Sequence, residues 1–192
     1  MTINNLEIIK PLLEWETPDD FYFVQILRRK KENPDNTSNN TVIRTYYVSS
    51  VEVLDKMFPE MALLAKFYNA RVYINLNRRS YEKLAFQMLK KVTDCIINKG
   101  FKDVKNAYNS VCGAFHNEKN KKWIIDLDGV AEHEERHFID VISELDGKIY
   151  ACIPTVGGKH LITSPFNIQE FSNKCAGNLP DIQKNNPTLL FF

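Results

Sequence analysis

The chain has 192 residues, 44% of them apolar, with 25 Lys and Arg against 24 Asp and Glu and a formal net charge of +1. That is enough chain for one domain with its own core, 1–192, and the composition excludes a disordered or fibrous protein. The near-neutral total also argues, at first sight, against a nucleic-acid partner. The opening stretch MTINNLEIIKPLLEWE lacks a basic segment followed by an apolar one, so it does not read as a signal peptide. No apolar run approaches the roughly 20 residues that span a membrane. Cys95, Cys112, Cys152 and Cys175 are widely spaced with no Cys-x-x-Cys pair. A cytoplasmic protein with free thiols packed as small apolar residues, and no membrane partner, is expected.

DFYFVQILRRK (20–30) and TVIRTYYV (41–48) read as strands joined through the polar segment KENPDNTSNN, which makes a long hairpin. Ser49-Ser50-Val51-Glu52 opens a helix with a capping box, and Pro59 should break or kink it before a second stretch ends near Tyr68. ARVYINLN (70–77) is a strand. Ser80 caps the most strongly periodic helix, YEKLAFQMLKKVTDCIINK, which Gly100 stops. A shorter helix is expected near 103–112. WIIDLD (123–128) is a short buried strand, and a helix follows over about 131–144. IYACIP (149–154) and HLIT (160–163) flank the turn Thr155-Val156-Gly157-Gly158. NIQEFSNK is a short helix and TLLFF a last strand. The order implies α+β, with a mostly antiparallel sheet backed by helices. Residues 1–69 supply the N-terminal hairpin and helices, and 70–192 the remaining core.

The balanced charge is unevenly distributed. Residues 71–105 hold nine Lys and Arg against three acids, a net +6, and residues 126–146 hold eight acids against Arg136, a net −7. Such asymmetry points to polyanion and cation binding, or to two solvated helix faces of opposite sign. In INLNRRS, alternation puts Asn75 and Asn77 on one face. Arg78 and Arg79 stand at the strand–helix turn, where they would grip phosphates, and Tyr73 and Tyr81 would stack on bases. Ordinary turn chemistry is the competing reading. Arg28-Arg29-Lys30-Lys31 is a second basic patch at the hairpin end, suited to a nucleic-acid backbone or to keeping an edge strand soluble. His116, in GAFHNEKNKK, has no partner at motif spacing.

Asp126 and Asp128, at i and i+2, share a strand face. Two carboxylates so close repel unless a cation or a proton sits between them, so the pair suits Mg²⁺ or Mn²⁺. An acidic turn closed by Gly129 is the plain alternative. IIDLDGV looks like the opening motif of the haloacid dehalogenase superfamily, which implies a phosphatase on a doubly wound parallel sheet. However, only 64 residues follow Asp128, and they read as hairpins. His133-Glu134-Glu135-Arg136-His137 matches H-E-x-x-H, but the charged middle residues suit an exposed acidic helix better than a zinc protease.

A third resemblance is to the archaeo-eukaryotic primase superfamily. Asp126-Leu127-Asp128 comes first, Gly158-Lys159-His160 opens a strand about thirty residues later, and Asp181 in LPDIQKNNPT is the last acid. The family usually has Ser where Gly158 stands, and its third acid usually ends a hydrophobic strand, whereas Asp181 follows Pro180; Asp140 and Asp146 compete for that role. The chain also looks like phage and prophage-type proteins carrying YINLNRRS, WIIDLD, GKHLITSPF and DIQKNNPTLL. The resemblance implies an RRM-like core and a divalent-metal-dependent nucleotidyltransferase acting on nucleic acid and nucleotides. Asp126 and Asp128 would be metal ligands, Asp181 a third, and His160 a catalytic nucleotide-phosphate contact. Lys159 and the backbone N–H groups of Gly157 and Gly158 would hold phosphate oxygens. A non-catalytic nucleic-acid-binding or accessory protein is the alternative, and a dehalogenase-type phosphatase a third. The primase-like reading requires Asp126, Asp128 and His160 to converge on one cleft.

Overall fold

The structure, a computed structural model, describes residues 2–114, 120–175 and 179–192. It is α+β, with every strand pairing antiparallel. The doubly wound parallel sheet of a dehalogenase is therefore absent among the described residues. None of the described helices is long and apolar enough to cross a membrane.

The first sheet grows from the hairpin β1 (Asp20–Arg29) and β2 (Asn40–Val48). β3 (Arg71–Ile74) and β9 (Thr188–Phe191) extend it in the order β2-β1-β3-β9, and the two-residue β4 (Arg79–Ser80) pairs with β1. Period-2 alternation gives β1 two buried faces. Tyr22, Val24 and Ile26 join Val72, Ile74 and the helix α2 (Val51–Tyr68) in one core. Phe21 and Phe23 join Leu84 of α3 (Tyr81–Ile97) with Val111 and Cys112 of α4 (Ala107–Ala114) in another. The short α1 (Leu6–Ile9) adds Leu6 and Ile9 to the first core.

Ser50 accepts the Val53 N–H as the expected cap of α2, but the helix is not broken at Pro59. Pro59 lies on the exposed side, so the carbonyl it strands faces water. Leu54 and Met61 hold the two halves on one core. Ser80 caps α3 through Lys83 N–H. At the other end of that helix Lys99, with φ of 55°, takes the left-handed position ahead of Gly100.

The second sheet comes from β5 (Trp123–Asp126), β6 (Ile149–Pro154), β7 (Lys159–Thr163) and β8 (Asp181–Gln183), in the order β6-β7-β5-β8. With α5 (Glu132–Glu144) and α6 (Ile168–Lys174) it makes a β-α-β-β-α-β unit, the arrangement of the expected RRM-like core. Trp123, Ile125, Leu127 and Leu161 bury one face against Phe138, Val141 and Ile142 of α5 and Phe171 of α6. The opposite face, through Ile124 and Ile162, joins the core of the first sheet. β8 and the two-residue β4 are absent from the elements expected of the sequence: so few residues carry too little pattern to be seen.

Buried amides stitch the sheets together. Asn5 Nδ2 donates to the carbonyls of Pro154 and Leu189, each at 2.9 Å. Asn77 donates to the Lys122 and Lys184 carbonyls and accepts the Lys122 N–H at 2.7 Å. Asn75 donates to the Asn185 carbonyl at 2.8 Å. The asparagines that alternation placed on one face thus join strands rather than read a ligand. Cys95, Cys112 and Cys175 are buried and Cys152 exposed, all four as free thiols.

Candidate functional site

A cleft of about 340 Å³ opens between the two sheets, lined by Asp126, Asp128, Thr155 and His160 on one side and by Arg29, Asn40, Arg71 and Tyr73 on the other. Antiparallel register builds the acidic wall. Asp126 ends β5 with His160 of β7 directly opposite, so both side chains leave the same face of the sheet. His160 Nε2 lies 4.0 Å from Asp126 Oδ1. Asp128 follows in a turn whose N–H donates to Asp126 Oδ1 at 3.1 Å. Its Oδ1 accepts the Thr155 hydroxyl at 2.7 Å. The three residues the primase-like reading requires therefore share one cleft.

His160 is anchored from the other sheet. Its Nδ1 shares a proton with the Thr188 hydroxyl across 2.9 Å, and Thr188 is fully buried on β9. Burial pushes the His160 pKa below the ordinary imidazole value, against the opposing pull of Asp126 and Asp128. A neutral imidazole with Nε2 turned toward Asp126 is the form present at neutral pH.

The hairpin tip between β6 and β7 packs directly on Asp128. Gly157 and Gly158 donate their N–H groups to Thr155 Oγ1 at 3.3 and 3.0 Å. The backbone donors expected to hold phosphate oxygens are thus spent within the turn, where they orient the hydroxyl that holds Asp128. A Cβ on Gly157 would fall inside van der Waals contact of Asp128 Oδ2, a side-chain end able to swing away. One on Gly158 would meet the Asp128 Cα at 3.0 Å and the Leu127 carbonyl at 3.1 Å, which are backbone. Gly157→Ala is accordingly expected to cost about 1 kcal/mol and Gly158→Ala about 2–3 kcal/mol in thermal melts. Wild-type melting for both would show that the turn does not pack on this carboxylate.

The other site residues read from the sequence divide. Asp181 is the β8 partner of Asp126 in the ladder, but it is exposed, holds a 2.7 Å bond from Gln183 Nε2, and does not line the cleft; Gln183 does. Asp140 and Asp146 do not line it either. Lys159 precedes His160 on β7 and so leaves the opposite face, where it pairs with Glu135 of α5 at 2.5 Å. It is no phosphate contact in the cleft. His133 and His137 are exposed on α5, and Glu134 accepts the Ala131 N–H at its start, so the H-E-x-x-H pattern is an ordinary helix start. Among the described residues no group of three His, Cys, Asp or Glu is close enough to hold a metal ion. His116 lies outside the described residues.

Arg78 and Arg79 are turned inward, contrary to the expectation that they grip phosphates. Arg79 is 0% exposed. Its guanidinium donates to the Cys112 carbonyl and the Asn77 carbonyl, each at 2.5 Å, and lies 5.6 Å over the Phe23 ring. Burial pushes its pKa down to about 10, which leaves it a cation at neutral pH. Arg78 pairs with Glu16 at 2.8 Å and Asp20 at 3.4 Å and donates to the Glu14 carbonyl. Tyr81 stacks on Phe21 at 4.3 Å.

Among the described residues, the cations that do reach the cleft are Arg29 and Arg71. The pairings Arg29 with Asn40, Leu27 with Arg71 and Gln25 with Tyr73 place these side chains on one face. Arg29 belonged to the basic patch at the hairpin end, whereas Arg71 counted only toward the charge of its stretch. Alternation along DFYFVQILRR is the signal that separates Arg29 from Arg28, which faces the other way and is held bidentately by Asp35. No family model, curated protein or solved structure matches the chain.

Proposed function

We propose that the protein is a divalent-metal-dependent nucleotidyltransferase-like enzyme, of primase-polymerase type, acting on nucleic acid. The observation that carries this reading is the meeting of Asp126, Asp128 and His160 in one cleft whose facing wall bears Arg29 and Arg71. Paired carboxylates opposite arginines suit a substrate that brings both a cation and phosphate.

The donor set fits Mg²⁺ or Mn²⁺: hard oxygens on Asp126 and Asp128, with substrate phosphates and water completing the shell, as is usual for Mg²⁺. Such a site needs no cage of three protein ligands. Asp181, opposite Asp126 on the ladder, would become a third ligand only by leaving Gln183 and turning in from outside the cleft. When bound, the ion activates a hydroxyl nucleophile and offsets charge on the phosphoryl group. The chain's own residues do the positioning. Thr155 fixes one oxygen of Asp128, and Thr188 fixes the ring of His160. The neutral imidazole leaves Nε2 to meet a phosphate oxygen as a donor in a half-closed site, where such a bond is stronger than in water.

The test is Mn²⁺-dependent incorporation of labelled nucleotide on a single-stranded template. Wild type is expected to incorporate, with loss of signal in EDTA and in the Asp126→Ala/Asp128→Ala protein. Equal signal from wild type and variant overturns the assignment. A second reading, a non-catalytic nucleic-acid-binding protein, draws on Lys83, Lys90 and Lys91 of α3, which form no ion pair among the described residues. Metal-independent DNA binding unchanged by Asp126→Asn, without incorporation by any form, favours it.

A further inference from the structure

We infer that the wall facing the acids is a phosphate subsite, built by Arg29, Tyr73 and Arg71 and formed before any metal binds. The inference rests on the nucleotidyl-transfer reading for its ligand class, while its geometry stands apart from the carboxylates.

Each member of the wall has a donor left over. Tyr73 Oη accepts from Arg29 Nη1 at 3.0 Å and from Arg71 Nη1 at 3.3 Å. A phenol oxygen that accepts two guanidinium bonds still has its own proton to give, and no acceptor takes it among the described residues. Arg71 is 7% exposed, pairs through Nη2 with Glu32, and keeps a buried Nε–H with no partner. Arg29 is half-buried and pairs with no carboxylate among the described residues, although Arg28 beside it has Asp35. Glu32 balances Arg71, which leaves Arg29 as an uncompensated cation of this wall among the described residues.

The cleft therefore sets donors on one side against two carboxylates on the other. A ligand fitting both must accept hydrogen bonds at one edge and meet the acids through a cation at the other. A phosphate oxyanion carrying a divalent ion has that character, and guanidinium and phenol groups suit its oxygens. Leu27 and Leu189 line the same space and limit water around the charge. The phosphate belongs either to the polyphosphate of a free nucleotide or to the backbone of a strand.

Calorimetric titration in EDTA, with inorganic tripolyphosphate and separately with a short single-stranded oligonucleotide, tests this. Wild type is expected to bind, and Arg29→Gln to bind at least about tenfold more weakly, with a smaller loss for Tyr73→Phe. A loss confined to tripolyphosphate assigns the subsite to free nucleotides, and a loss on the oligonucleotide assigns it to the strand; either supports the subsite. Equal affinity of wild type and Arg29→Gln for both ligands overturns it, as does no binding by wild type. Among the described residues Arg29 makes one side-chain hydrogen bond, so thermal melting of Arg29→Gln close to wild type is expected to exclude misfolding as the cause. The two readings separate cleanly: Arg29-dependent phosphate binding with no nucleotide incorporation keeps the subsite and removes the enzyme.

Discussion

Replacing Asp126 by Asn is expected to cut metal-dependent nucleotide incorporation about a thousandfold while leaving the fold intact. The change is isosteric. The amide oxygen can still accept the Asp128 N–H that Oδ1 accepts at 3.1 Å, so the turn after β5 keeps its geometry. The 4.0 Å approach to His160 Nε2 is too long for a hydrogen bond, and the imidazole stays tied to Thr188. What disappears is one negative charge of a pair, and with it half of the anionic platform for a divalent cation. Single-turnover incorporation with Mn²⁺ measures the effect, and melting temperature checks the fold. Incorporation within about threefold of wild type would remove Asp126 from the chemistry.

Arg79→Ala is expected to lower stability by about 3 kcal/mol, or roughly 6–12 °C in melting temperature, and to leave nucleic-acid affinity unchanged. The side chain fills a fully buried space between Phe23 and the end of α4. Removing it opens a cavity and orphans the Asn77 and Cys112 carbonyls, which bear on the chain entering β4 and on α4. Relief of the buried charge's desolvation offsets part of this loss, which keeps the expected figure moderate. A phosphate-gripping Arg79 would behave in the opposite way, with unchanged melting and a DNA-binding salt slope reduced by about one unit. Denaturation and salt-dependent binding on one preparation separate the two.

Much of the fold was legible because its signals are local. The hairpin of β1 and β2, the Ser50 and Ser80 caps and the turn at Gly157-Gly158 each follow from a few adjacent residues. The pairing of Asp126 with His160 was legible only through spacing and resemblance, and the register of β5 on β7 supplies its geometry. Other features depend on partners far along the chain. Arg79 looks like a surface cation until its acceptor, the Cys112 carbonyl 33 residues away, is known. Asn77 likewise reads as a strand-end residue sharing a face with Asn75, but its amide spans to Lys122 and Lys184. Charge counting cannot tell a cation on the surface from one sealed among carbonyls. It set the phosphate grip at Arg78 and Arg79, whereas strand alternation turns Arg29 and Arg71 into the cleft.

The bond between His160 and Thr188 has a mechanical consequence. Thr188 travels with the first sheet and His160 with the second. The gap between the walls and the orientation of the imidazole are therefore one coordinate rather than two. A ligand that pries the sheets apart must either rotate the ring or break the bond, so steric fit at the mouth is converted into alignment at the ring. If the proposed nucleotidyl transfer holds, oversized substrates would then be penalised in turnover as well as in binding.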